Sequence, residues 1–155
     1  GYATSDKFPV FALIHRETKE VRSFAMPKVN ADNVWDVLDK ETVPGSVWLR
    51  TDSSRVYKGK IANRVADHKF VDHSAGEYVG EGGVSTNLLE GFFSQLKRGL
   101  RGTHMHVSIE HLHRYLAQFD FMYSNCKKTD SERMRKLIGN VTGQRLTFRP
   151  LTSEA

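Results

Sequence analysis

The chain has 155 residues, of which 39% are hydrophobic, 10% aromatic and 26% charged. That is the composition of one globular domain, or one domain with a tail, and it excludes wholesale disorder and fibrous classes. The net charge is +5, but residues 1–90 carry 12 basic and 13 acidic side chains, whereas residues 91–155 carry 11 and 5. A basic C-terminal half points to a polyanion, most often nucleic acid; a solvated helix surface on a mildly basic protein has the same composition.

The opening GYATSDKFPVFAL has no initiator Met, charged start, long apolar core or small-residue cleavage site, so a fragment is expected rather than a signal peptide. Phe8–His15 is a short apolar run and reads as a strand. Arg16–Glu20 is a polar turn, and the alternation in Val21–Met26 reads as the return strand of an antiparallel hairpin. Asn30–Thr42 opens on a capping Asn and carries Val34, Val37 and Leu38 at helical spacing. Pro44-Gly45 ends it. Val47–Arg50 is a third strand, buried and short, and Ser53 or Ser54 caps a helix to about Arg64.

His68–His73 reads as a fourth strand, and residues 74–83 as a loop. Asn87–Leu100 is a helix with Leu88, Phe92, Leu96 and Leu100 on one stripe. Ser108 caps a second long helix to about Asn125, striped by Ile109, Leu112, Leu116, Phe119 and Tyr123. The lone Cys126 excludes an internal disulfide and fits a reducing compartment. A weaker basic helix, Ser131–Gly139, precedes an irregular tail. The expected organisation is a domain over residues 1–126 and a basic helix and tail over 127–155. No apolar run is long enough to span a membrane. The element order implies an α/β fold with a mixed sheet flanked by helices, and it matches a ribonuclease-H-like core whose first strand is missing. Trp35 and Trp48 are expected to be largely core.

Asp52 sits just past the strand Val47–Arg50, at the end where α/β sheets place ligands. A carboxylate there suits Mg²⁺, which takes one or two carboxylates and keeps several waters; the plainer role is a turn or a helix cap. Asn87 and Glu90 have the spacing of a capping box. Lys97 lies two helical turns beyond Glu90 on the same face, away from the apolar stripe. A carboxylate for metal beside a cation for a phosphodiester suits phosphoryl transfer, and Arg98 and Arg101 extend the positive surface. His104, His106, His111 and His113 form two His-x-His pairs, but no Cys accompanies them, so polar contacts at a helix start or DNA-facing donors are the expectation. His68 and His73 read as satisfied strand-end residues.

These residues then form a pattern. His73-Ser74, Glu77-Tyr78 and Val84–Gly102, with Thr-Asn-x-x-Glu-Gly at Thr86–Gly91, resemble the bacterial insertion-sequence transposases of the ISXO-like group, in the DDE superfamily. The following His106–Asn125, with His-Leu-x-x-Tyr-Leu at His111–Leu116, resembles the next segment of that group, and Pro9-Val10-Phe11, Thr51-Asp52 and Tyr57 also fall where the group has them. The resemblance covers most of residues 8–126.

It implies a ribonuclease-H-like fold and transesterification on DNA by two Mg²⁺ (or Mn²⁺) ions about 3.5–4 Å apart. Asp52 matches the second metal-binding Asp and Glu90 the third position, with Lys97 as the basic residue beyond. Asn87 is the alternative third ligand; Glu90 is preferred because a carboxylate holds a hard dication better than an amide. The group's first metal-binding Asp lies on a strand before Pro9–His15, which this sequence does not contain, and Asp6 is not a substitute. The expectation is therefore a DNA transposase catalytic domain that is incomplete at its N-terminus, with a non-catalytic DNA-binding fragment or relic as the alternative. The implied partners are DNA, as element ends and target, and further copies of the protein on that DNA. The implied location is the bacterial cytoplasm, at the nucleoid. Lys97, Arg98, Arg101, Arg114, Lys127 and Lys128 are the candidate phosphate contacts.

Overall fold

The computed structural model describes residues 8–52, 56, 65–71, 87–104 and 107–143, with backbone alone at Asp52, Phe70 and Val71. Strand β1 is Val10–Ile14, β2 is Val21–Ala25, and helix α1 is Ala31–Glu41. Strand β3 is Trp48–Asp52 and β4 is Asp67–Val71. Helices α2 and α3 are Asn87–Gly102 and Ile109–Ser124, and α4 is Asp130–Val141. The chain divides into two compact units, residues 1–124 and 125–155. Among the described residues no helix is long and apolar enough to cross a membrane.

Strands β1 and β2 pair antiparallel, Phe11 opposite Phe24. Alternation sends successive β1 side chains to opposite faces. Phe11 and Leu13 join Met26, Val34, Leu38 and Leu49 in a core beside α1. Val10, Ala12 and Ile14 join Val21, Phe92, Leu96, Leu112 and Leu116 in a second core beside α2 and α3. Both faces of the hairpin are therefore covered, which is why Phe8–Ile14 reads as a continuous apolar run rather than an alternating one.

Helix α1 starts where Asn30 Oδ1 accepts from the Asn33 N–H at 2.8 Å, the expected cap. Its inner face buries Val34 and Leu38. Even-numbered β2 positions face α1, and Arg22 pairs there with Glu41 at 2.6 Å. Odd-numbered positions face α3. The Val21 N–H donates to Ser124 Oγ at 2.9 Å, and the Ser23 N–H and Oγ donate to the two carboxylate oxygens of Asp120, each at 2.7 Å. These bonds satisfy β2 amides that β1 does not, and so cover an edge that would otherwise be open.

The sheet differs from the expected single mixed sheet. Strands β3 and β4 pair parallel, from Trp48 opposite Asp67 to Asp52 opposite Val71. Among the described residues no hydrogen-bonded pairing joins this pair to the hairpin. The two pairs are linked instead through the α1-side core, to which Leu49 contributes. Trp48 is 72% exposed, contrary to the expectation of a core position. Leu49 and Thr51 occupy the buried face of β3, and period-2 geometry puts Trp48 on the other. Trp35 packs half-buried against the α1-side core, as expected. The expected helix from Ser53 or Ser54 to Arg64, and the loop at residues 74–83, lie outside the described residues.

Helices α2 and α3 approach closely at Gly99. A Cβ there would lie 2.5 Å from Phe119 Cε1 and closer still to Cζ. In the second unit, α4 carries a full capping box, Thr129 with Glu132, and Arg133 donates to the carbonyls of Asn125 and Cys126 that follow α3.

Gly99→Ala gains helix propensity of about 1 kcal/mol, but it drives a methyl into the Phe119 ring, and overpacking costs about 1–3 kcal/mol. The variant should melt at lower denaturant than wild type, and Gly99→Ala with Phe119→Leu should recover the loss. A stabilised single variant would show that the ring swings aside freely.

Burial raises the Asp120 carboxyl above the ordinary aspartate value of 3.8, against the opposing pull of the two Ser23 donors. The folded state then binds a proton more tightly than the unfolded one. The contribution of this carboxyl to stability is fully present below about pH 3.8 and is lost as pH rises through the raised value. Urea melts of wild type and Asp120→Asn across that window should differ in slope; parallel curves would refute the assignment.

Candidate functional site

Strand β3 runs to Asp52, two residues further than the sequence pattern implied, because its parallel ladder with β4 continues to the Asp52–Val71 pair. Asp52 is thus the last residue of β3, at the carboxyl end of a parallel pair, the end at which α/β sheets bind ligands. Immediately before it, Thr51 is buried, and its Oγ1 lies 2.8 Å from His68 Nε2 on the neighbouring strand. Burial holds the His68 imidazole below its ordinary pKa; Asp67 pulls it up and Arg50 pushes it further down. The Thr51–His68 bond ties the two strands together one residue from Asp52. His68 was expected to be a satisfied strand-end residue; its partner was not legible, because the pairing is 17 residues apart in sequence.

Along the other face of β3, Arg50 pairs with Asp67 at 3.1 Å and its guanidinium carbon lies 5.9 Å from the centre of the Trp48 ring. Both ion-pair partners are partly exposed, so the pair contributes little to stability.

Glu90 lies in the first turn of α2 and is exposed. Asn87 is the first helical residue rather than the residue before the helix. The residues that precede Asn87 lie outside the described residues. Lys97, Arg98 and Arg101 are exposed on the same helix and, with Ser94 and Gly102, line one shallow depression. Glu90, Ser94, Lys97 and Arg101 recur at helical spacing, so a carboxylate and two cations share one face of α2. The inner face buries Phe92 and Leu96.

The remaining candidates do not all join this face. Arg114 is exposed on α3. Lys127 and Lys128 are exposed but belong to the other compact unit. His104 stacks edge-on against Tyr115 at 4.6 Å and Phe119 at 6.2 Å between ring centres, which makes it a packing residue of the α2–α3 boundary. His111 is half-buried and His113 exposed. Asp6, Tyr57, His73, Ser74, Glu77, Tyr78 and His106 lie outside the described residues.

Among the described residues no group of three or more His, Cys, Asp and Glu gathers to hold a metal. The donor chemistry of Asp52 and Glu90 nonetheless fits a hard dication. Mg²⁺ is commonly bound by one or two carboxylates with water and substrate phosphate completing the shell.

A second feature escaped the sequence reading. A cleft of about 540 Å³ lies between α2 and α3, walled by Phe92, Gly99, Phe119, Met122 and Tyr123. The signal was available in Gly99 and Gly102, two glycines inside an otherwise helical pattern, which mark close approach or a helix end.

Comparison with known proteins found one family, the ISXO2-like transposase domain, whose model matches residues 1–124. No curated protein and no solved structure matched. The matched span contains β1 through α3, with Asp52, Glu90 and the basic face of α2, and on that match the chain belongs to the ISXO2-like transposase domain family.

Proposed function

We propose that this chain is the catalytic domain of an insertion-sequence transposase, which cuts the DNA ends of its element and joins them to target DNA. The observation that carries this reading is the pair of carboxylate positions in a family-matched chain: Asp52 ends a parallel strand, and Glu90 opens a helix whose same face bears Lys97 and Arg101. The underlying fold in this reading is ribonuclease-H-like, with the hairpin and the parallel pair supplying its strands. The helices on both faces of β1 and β2 support it.

Asp52 and Glu90 would hold Mg²⁺ or Mn²⁺, with Asn87 as a further oxygen donor near Glu90. When bound, such ions neutralise the charge that develops on the reacting phosphate and activate the attacking oxygen. Lys97 and Arg101 bind the DNA backbone next to that phosphate and orient it. Arg98 extends the same contact, and Arg114, Lys127 and Lys128 supply further phosphate contacts. Phosphate contacts fix position without reading sequence, which suits an enzyme that joins its element to many targets. The partners are element-end and target DNA, bound by an oligomer of the protein in the bacterial cytoplasm at the nucleoid.

In a transposase containing this domain, Asp52→Asn or Glu90→Gln should lower strand transfer by about a hundredfold or more and leave DNA affinity nearly unchanged. Equal loss of both activities would mark the two residues as structural. Strand transfer that never rises above background in the presence of Mg²⁺, alongside intact DNA binding, would favour the second reading, a non-catalytic DNA-binding fragment or relic.

Each phosphate neutralised releases counterions, so log affinity for duplex DNA should fall with log salt at roughly −0.9 per contact. Lys97→Ala should reduce that slope by about one and weaken binding alike for all sequences. A salt-independent affinity, or a loss confined to one sequence, would remove the basic face of α2 from the DNA interface.

A further inference from the structure

The cleft between α2 and α3 is a groove open to solvent. Its volume of about 540 Å³ is within the range of small-molecule sites. Its floor is the buried Phe92, and its walls are apolar and aromatic, from Phe119, Tyr123 and Met122. Met122 is 54% exposed, so apolar surface is open to solvent there. Polar groups sit among these walls: Gln95 on α2 and Gln118 on α3, both exposed. Gln118 Nε2 has Met122 Sδ at 4.0 Å, a weak acceptor that leaves the amide available for a better partner.

The charge beside the cleft selects its occupant. Arg98 and Gly102 line both this cleft and the basic depression that holds Lys97 and Arg101. An occupant must therefore place a flat apolar body in the cleft and an anion directly next to it. A nucleotide within a DNA strand has that form: a base with a π-face and hydrogen-bonding edges, flanked by phosphates. A base within a duplex has both faces covered by its neighbours, so only an unstacked base fits. Arg98 lies eight residues along α2 from Glu90, about 12 Å at the helical rise. The base therefore sits beside the reacting phosphate rather than at it.

We propose that the α2–α3 cleft takes one unstacked base of the bound DNA while Lys97, Arg98 and Arg101 hold its phosphates. This rests on the reading of the domain as DNA-binding and adds to it a preference for distorted or single-stranded DNA. Aromatic stacking and amide hydrogen bonds capture the base, and the capture holds the strand in register relative to Glu90.

The test uses the 155-residue chain and two DNA probes of the same sequence. One is a blunt duplex; the other ends in a short single-stranded overhang that carries 2-aminopurine. The variant is Gln118→Ala with Met122→Ala. Both side chains line the cleft, lie outside the basic depression and are exposed on α3, so their truncation leaves the buried core intact and alanine favours the helix. Wild type should bind the overhang probe at least about fivefold more tightly than the blunt duplex and quench its aminopurine emission. The double variant should lose the preference and the quenching yet retain the affinity and salt slope of the blunt duplex. Equal affinity of wild type for both probes, or a variant that keeps preference and quenching, overturns the base site and leaves the DNA reading standing. Failure of wild type to bind either probe overturns the DNA reading and the base site together.

Discussion

The structure depends on the burial of strand β1 from both sides. Phe11 and Leu13 point to α1, while Val10, Ala12 and Ile14 point to α2 and α3. A single five-residue strand thus takes part in two hydrophobic cores, and each helix of the first unit packs on one of them. Burying each large apolar side chain is worth about 1.5–3 kcal/mol, so β1 has no solvent-facing side to carry polar residues. Strand β2 carries the exposed Arg22, and at its outer edge Asp120 and Ser124 of α3 take up the free amides.

That arrangement sets what α2 is able to do. Its inner face, Phe92 and Leu96, is committed to the β1 core, and Gly99 lets Phe119 of α3 close against it. The helix is held by packing, so its outward face is free to carry Glu90, Lys97 and Arg101 at a cost that packing does not feel. Side chains on a helix fixed in this way keep their mutual spacing, which a phosphate-binding surface requires. Beside this close approach lies the cleft, lined by Gly102 of α2 and Met122 of α3 among others.

On the sheet side, Asp52 owes its position to the parallel ladder of β3 with β4. Leu49 anchors β3 in the α1 core, and the Thr51–His68 bond fastens the last turn of the ladder. One acidic position thus ends a paired strand and the other lies in the first turn of a packed helix. The family match over residues 1–124 covers these supports as well as the two acidic positions.

Most of the local structure was legible in the residue pattern. Short-range periodicity and turn chemistry place β1, β2, α1, α2 and α3 close to their observed bounds, and the Asn30 cap is where the pattern puts it. Helical spacing likewise puts Glu90, Lys97 and Arg101 on one face of α2, and the strand pattern puts Asp52 near the end of β3. Tertiary structure alone decided which strands pair, which face of β3 is buried, and hence that Trp48 is exposed. It likewise decided that Phe119 and Gly99 meet beside a cleft. The physical reason is range. Periodicity of 2 or 3.6 records that a side chain has an inner and an outer face, but what covers that face is supplied by residues tens of positions away, whose approach is set by packing volume rather than by local pattern.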